Sequence, residues 1–236
     1  MSGIFKRVEK KYLLTEAQCA ELFARIEERI QPDEYSDYTI SNVYFDTDCS
    51  DLIRTSMEKP PYKEKLRIRS YGTPEPEDTV FLEMKKKWDG VVYKRRVELP
   101  YGVAQSYLEA GNYPEKYDCQ ILREIDHMIK HYDLKPSLFL AYDRVAYVLK
   151  EDTAIRFTID RRIRSRREKI RLSDGDAGTL LYEDGRCLLE IKAPQTLPLW
   201  FAQTLAELKI FPRSFSKYGR IYEANLAGWT VFHRIN

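Results

Sequence analysis

Six segments rich in β-forming residues carry lysine, arginine and an occasional carboxylate at every second position. Alternate side chains of a strand share a face, so each segment would show aliphatic residues on one side and charge on the other. Lys63 to Tyr71 contributes Lys63, Lys65, Arg67 and Arg69, and Thr79 to Trp88 contributes Glu83, Lys85 and Lys87 against Val80, Leu82 and Met84. Val91 to Leu99 adds Lys94, Arg96 and Glu98, and Cys187 to Ala193 adds Glu190 and Lys192. Ala154 to Ile163 sets Arg156, Thr158, Asp160 and Arg162 against Ile155, Phe157 and Ile159. Phe5 to Leu14 gives Arg7, Glu9 and Lys11.

Strands usually avoid such charge. One reading is a solvated sheet face, with helices covering the aliphatic side. The other puts the charge inside a closed barrel, which leaves no strand edge open and has room at eight strands for side chains and a small ligand. An interior lined by cations repels itself unless a polyanion fills it, and phosphate chains fit that role. Glu9, Glu83, Asp160 and Glu190 could then hold a divalent ion bridging phosphate oxygens. The residues alone leave both readings open.

The elements that would position these groups follow from periodicity. Thr15 with Gln18 has capping-box spacing, and Leu22, Phe23, Ile26 and Ile30 then recur at helical intervals to Gln31, before Pro32. Tyr38 to Asp46 is β-type. Asp89-Gly90 joins Thr79–Trp88 to Val91–Leu99 as a hairpin. Helices are expected over 103–111, 115–132, 197–210 and 216–226, and Pro136 to Lys150 pairs with Ala154 to Ile163 as a second hairpin. About eight strands and five helices, with hairpin connections and no linker or repeat, indicate one α+β domain over 1–236.

A chain of 236 residues with 43% hydrophobic residues and with Tyr 17, Phe 10 and Trp 3 can bury a sizeable core, which argues against disorder. No apolar run reaches the ~20 residues of a membrane span, and no signal-peptide pattern opens the chain, so a cytoplasmic setting is expected. Cys19, Cys49, Cys119 and Cys187 are scattered, as free thiols would be. Net charge is only +2, without an RRM, KH or helix-turn-helix pattern, so no nucleic-acid partner is expected. Charge is segregated locally: Arg161 to Arg171 holds seven basic residues in eleven. That run suits a solvated loop, a guide for a polyanion or a contact with an anionic membrane. His127 and His131 have helical i, i+4 spacing but lack the context of a metal pair.

In order along the chain, Arg7-Val-Glu-Lys-Lys-Tyr12, Val43-Tyr-Phe-Asp46, Lys65-Leu-Arg-Ile-Arg-Ser-Tyr71, Phe81-Leu-Glu-Met-Lys-Lys-Lys87 and Val92-Tyr-Lys-Arg-Arg96 are followed by Ala141-Tyr-Asp-Arg-Val-Ala-Tyr147, Ile155-Arg-Phe-Thr-Ile-Asp160, Leu189-Glu-Ile-Lys192 and Ser214-Phe-Ser-Lys-Tyr218. This ordered set resembles the triphosphate tunnel metalloenzymes, in particular their VTC (vacuolar transporter chaperone) polyphosphate polymerase branch. The resemblance implies a closed antiparallel eight-stranded β-barrel tunnel with helices packed outside. It implies ATP and inorganic polyphosphate as ligands, and Mn²⁺ or Mg²⁺ on Glu190. By the same resemblance Arg67, Arg69, Lys85, Arg144, Arg156 and Lys217 would act on the transferred phosphate, and Glu9, Lys11, Lys94, Arg96 and Lys192 would bind substrate. One departure stands out: the superfamily's ExExK strand begins here with Arg7, which counts against a classical triphosphatase or cyclase. A sensor that binds without turnover and a triphosphatase are the alternatives. Peripheral association with a membrane-protein partner at the inner face of a membrane is a further expectation from the resemblance.

Overall fold

The computed structural model describes residues 8–233; Arg7 and the start of the first expected strand lie outside them. The chain divides into two compact units. The first comprises the chain up to Tyr38, Tyr142–Ile163 and Leu180–Ser216; the second comprises Thr39–Ala141, Arg164–Thr179 and the chain from Lys217.

The elements are β1 (Val8–Leu14), α1 (Glu16–Ile26), β2 (Ile30–Asp46), α2 (Asp51–Met57), β3 (Tyr62–Tyr71), β4 (Thr79–Trp88), β5 (Val91–Pro100), α3 (Tyr101–Ala110), α4 (Gln120–Tyr132), β6 (Lys135–Leu149), β7 (Arg156–Arg166), β8 (Thr179–Leu180), β9 (Cys187–Ala193), α5 (Leu199–Glu207) and α6 (Lys217–His233). The hydrogen-bonded order is β1-β9-β7-β6-β2-β3-β4-β5, with β8 beside β7. The pairings β1·β9, β7·β9, β2·β3, β3·β4 and β4·β5 are antiparallel.

The path has two ends, β1 and β5, and among the described residues no pairing joins them. The sheet is therefore open, which corrects the closed barrel. The free edge of β5 carries Lys94, Arg95 and Arg96, charges of the kind that keep an edge from recruiting another strand.

Each unit buries the aliphatic side of its strands under helices. In the first, Tyr12, Leu14, Phe157, Ile159, Leu189 and Ile191 pack with Leu22 and Ile26 of α1 and Phe201 and Leu205 of α5. In the second, Leu66, Ile68, Val80, Leu82, Met84 and Leu99 pack with Ala104 and Tyr107 of α3 and Leu122, Ile125 and Met128 of α4. The charged positions take the opposite face, as strand alternation requires.

Local chemistry explains where elements start and stop. Thr15 Oγ1 accepts from the Gln18 N–H at 3.1 Å, and Gln18 Oε1 accepts from the Thr15 N–H at 3.1 Å, closing the expected capping box. The helix ends at Ile26 rather than Gln31, and β2 runs through Pro32. Pro32 lies outside the register with β3, which covers Ile40 to Phe45. Both turn residues of the β4–β5 hairpin have positive φ, 41° at Asp89 and 83° at Gly90, as a tight two-residue hairpin demands.

The seven-residue α2 escaped periodicity. Its N-terminal amides are capped by Asp46, whose Oδ1 accepts from the Leu52 N–H at 2.9 Å and Oδ2 from the Ile53 N–H at 3.1 Å. The basic run is not a plain solvated loop. Arg164 pairs with Asp176, and Arg166 donates to the carbonyls of Lys169, Arg171, Gly175 and Ala177 while stacking 3.5 Å from the Phe139 ring centroid. Those guanidiniums hold the 166–179 loop closed.

Phe157 is fully buried and packs on Tyr147 and Phe201, at centroid distances of 5.4 and 5.9 Å. Phe157→Ala is expected to cost about 3–5 kcal/mol in urea unfolding; a loss below ~1 kcal/mol would mean that this core is not built as described.

Candidate phosphate-binding faces

On the second unit's polar face the strand registers align charge into rows. Arg67 of β3 lies opposite Glu83 of β4, which lies opposite Arg96 of β5; one pleat on, Lys65, Lys85 and Lys94 align likewise. Like charges directly opposite are destabilising unless something intervenes. Here the intervening group is Glu83, 2% exposed, with Arg67 Nη2 at 2.6 Å, Lys94 Nζ at 2.8 Å and Arg69 Nη1 at 3.8 Å. Burial pushes the Glu83 carboxyl up, but Arg67, Arg69 and Lys94 outweigh it and hold the pKa at about 2. Glu83 is thus surrounded by cations, with Arg67 on Oε2 and Lys94 on Oε1.

The arginines are aimed by neutral groups from β2. Arg69 Nε donates to Asn42 Oδ1 at 3.1 Å, and Asn42 Nδ2 in turn donates to the Leu140 carbonyl at 3.1 Å. Arg67 Nη1 donates to the Tyr44 hydroxyl at 3.0 Å. Tyr44 stacks on Tyr218 at a centroid distance of 4.6 Å, and the Tyr218 hydroxyl donates to Asp46 Oδ2 at 2.9 Å. Burial pushes the Tyr44 phenol up, yet Arg67, Lys65 and Arg69 overcome it and bring its pKa down to about 8. Lys217 opens α6, half-buried, next to Tyr218; Lys85 is exposed; Arg96 lies over the Phe81 ring at 4.7 Å and pairs with Glu98 at 3.3 Å.

Asn42, Tyr44, Asp46 and Tyr218 were not singled out as site residues from the sequence. A signal was present: Asn42 and Tyr44 alternate with Val43 and Phe45, which puts them on the same face as Arg69 and Arg67 across the register.

The first unit carries its own rows. Lys11 of β1 lies opposite Glu190 of β9, which lies opposite Thr158 of β7; Glu9, Lys192 and Arg156 form the adjacent row. Glu190 is 7% exposed, with Lys11 Nζ at 3.3 Å from Oε1 and Arg144 Nη2 at 3.4 Å from Oε2. Lys11 also pairs with Glu9 at 3.3 Å and donates to the Phe215 carbonyl at 3.4 Å. Arg144 grips the fully buried Asp160 through two bonds, 2.6 and 2.7 Å. Burial alone would lower the Arg144 guanidinium; Tyr142, Asp160 and Glu190 outweigh that and raise it, so Arg144 stays charged. Arg156 is 44% exposed and pairs with Asp33 at 2.6 Å.

The sequence-expected residues thus gather into two groups, one in each unit. Glu9, Lys11, Arg144, Arg156, Glu190 and Lys192 belong to the first. Arg67, Arg69, Lys85, Lys94, Arg96 and Lys217 belong to the second.

The donors suit a hard divalent ion only in part. Among the described residues no three His, Cys, Asp or Glu side chains gather as a metal cage. His127 and His131 stack on each other at 5.7 Å with no such third partner. Both Asp160 oxygens accept from Arg144, Glu190 has Lys11 at 3.3 Å and Arg144 at 3.4 Å, and the buried Thr158 Oγ1 opposite it has no hydrogen-bond partner among the described residues. One carboxylate with an unsatisfied hydroxyl fits Mg²⁺ or Mn²⁺ arriving with phosphate and water, the usual arrangement for such ions, rather than a preformed cage.

The family model for the VTC domain matches residues 6–225. This chain belongs to the VTC domain family. It is 29% identical over 162 residues, 57% of its length, to vacuolar transporter chaperone complex subunit 4 of Trypanosoma brucei brucei, and spans 20% of that longer protein. The fold of this VTC domain is shared with solved structures of low sequence identity. A Bacillus halodurans protein described as an adenylate cyclase superposes with a TM-score of 0.53 at 16% identity, covering 89% of this chain and 93% of that one. HpAC1 of Hippeastrum, described as an adenylyl cyclase with a dominant triphosphatase activity, gives 0.54 at 14% identity, covering 92% and 96%.

Glu83 gives this VTC domain a distinctive acid sensitivity. A carboxyl with a folded pKa of about 2 stabilises the fold above its unfolded value of about 4.3, and that stabilisation is lost as pH falls toward 2. Urea unfolding should show a loss on the order of 3 kcal/mol from Glu83 between pH ~5 and ~2. Glu83→Gln should flatten that part of the profile, and an unchanged profile would remove Glu83 from its role as the charge hub.

Proposed function

We propose that this VTC domain is a polyphosphate polymerase-type phosphotransferase that moves the γ-phosphoryl group of ATP to the end of a growing inorganic polyphosphate chain. The observation that carries the reading is the repeated cross-strand row in which arginines and lysines surround a buried carboxylate, Glu83 in one unit and Glu190 in the other. Membership of the VTC family supports it, as does the likeness to a subunit of a vacuolar transporter chaperone complex.

Phosphoryl transfer depends on positioning and charge neutralisation more than on covalent chemistry by the protein. Arg67, Arg69, Arg144 and Arg156 offer paired donors that match phosphate oxygens, and Lys85 and Lys217 act as mobile point charges. Lys11, Lys94, Arg96 and Lys192, with Glu9 setting the direction of Lys11, bind the remaining phosphates. Glu190 is the residue that would hold Mn²⁺ or Mg²⁺. When bound, the ion would neutralise charge on phosphate oxygens. An oxygen of the chain's terminal phosphate attacks the γ-phosphorus in line, the bond to the β-phosphate oxygen breaks, and ADP leaves. The attacking oxygen is already anionic, so no general base is required.

A second reading, a triphosphatase, uses the same cations with water as acceptor. It is favoured by the shared fold with HpAC1. A membrane-protein partner in a larger complex belongs to the proposal, on the likeness to the chaperone-complex subunit.

Incubation with γ-labelled ATP and Mn²⁺, resolved by chain length on a gel, separates these readings. The polymerase predicts a ladder of long polyphosphate with ADP in step, reduced at least ~100-fold in Glu190→Ala. Free phosphate without a ladder would assign a triphosphatase, and intact ATP would overturn turnover in favour of a binding module.

A further inference from the structure

The turn end of the β4–β5 hairpin is uncovered on both faces. Every residue from Trp88 to Lys94 is exposed, although alternate side chains point to opposite sides of the ribbon. The same two strands bury Leu82, Met84 and Leu99 almost completely. At the tip, however, Trp88 is 59% and Tyr93 55% exposed, beside exposed Val91 and Val92, and the Tyr62 ring lies 5.9 Å from Trp88. A contiguous apolar and aromatic surface of this kind marks an interaction site.

The surrounding charge indicates which partner. Beside the tip Lys63 and Lys87 are cross-strand partners, Lys86 lies 3.8 Å from the buried Glu64, and Lys59, Glu58 and Asp89 are exposed. Burial, then Lys87 and Lys59, push the Lys63 ammonium down, so these cations crowd one another. Protein–protein interfaces are depleted in lysine, whereas bilayer interfaces collect tryptophan and tyrosine at headgroup depth, with lysine stems reaching to lipid phosphates. Among the described residues no helix is long and apolar enough to cross a membrane.

We propose that this hairpin tip docks on an anionic lipid bilayer, with Trp88, Val91, Val92 and Tyr93 entering the headgroup boundary and Lys59 and Lys87 meeting the lipid phosphates. Trp88, Val91, Val92 and Tyr93 lie outside the phosphate-binding rows, so replacing them tests this surface apart from phosphoryl transfer, whereas Lys87 sits on the charged face one pair beyond Lys65 and Lys85.

Flotation with phosphatidylcholine vesicles, with and without phosphatidylserine, tests it. Binding should require phosphatidylserine, weaken as salt rises, and fall about tenfold in the double variant Trp88→Ser/Val92→Ser. Lys87→Ala should lose about fivefold. Trp88 and Val92 are exposed, so in the double variant thermal melting should match the parent chain and labelled-ATP chemistry should be unchanged. Absence of binding to phosphatidylserine vesicles, or equal binding by the double variant, would overturn the proposal. So would a concentration-dependent dimer that the double variant abolishes, because that assigns the tip to a second copy of the chain.

Discussion

Cations aligned on one face of a sheet repel one another, and the fold must hold them in place before any anionic ligand arrives. In the second unit Glu83 does this from beneath Arg67, Arg69 and Lys94. In the first unit Asp160 and Glu190 hold Arg144, and Glu190 and Glu9 hold Lys11. Glu83, Asp160 and Glu190 are buried, so their attraction is felt at a lower effective dielectric than at a more exposed pair such as Glu9 with Lys11. Removing one would leave its cations desolvated and mutually repelling, a larger effect than the loss of a surface salt bridge.

The rest of each unit serves this arrangement. Helices cover the aliphatic side of the strands, which frees the opposite side for charge. Neutral groups then set direction: Asn42 turns Arg69, Tyr44 receives Arg67, and Tyr218 braces Tyr44 while bonding the same Asp46 that caps α2. A helix cap, an aromatic stack and a guanidinium are thereby coupled through Asp46, Tyr218, Tyr44 and Arg67. Preorganised donors of this type act without reorganising when charge develops, which suits phosphoryl transfer.

Much of this was legible in the sequence. Period-two alternation located the charged faces, Asp89-Gly90 located the hairpin, and Thr15 with Gln18 located the start of α1, since each is a local rule with a local cause. The ordered motifs identified the family. What escaped depended on distant partners. Seven residues of α2 carry little periodicity, and their cap comes from Asp46 at the end of a strand. The helical spacing of Ile30 ran on past the real end of α1 because Ile30 is buried in β2 for reasons of sheet packing. Closure of the sheet was implied by the resemblance, while the charged faces left the question open, and charged strands can indeed end in an open edge guarded by lysine and arginine, as β5 does. The basic run from Arg161 looked like a surface feature, but Arg164 and Arg166 are spent on holding the following loop.

The central claim is that these faces are built to bind a chain of phosphates. Calorimetric titration with inorganic tripolyphosphate at several salt concentrations, without nucleotide, tests it most directly. The account predicts saturable binding that weakens steeply with salt and drops at least ~10-fold in Arg67→Ala, with the variant still folded. Absence of binding, or binding indifferent both to salt and to Arg67, would contradict it.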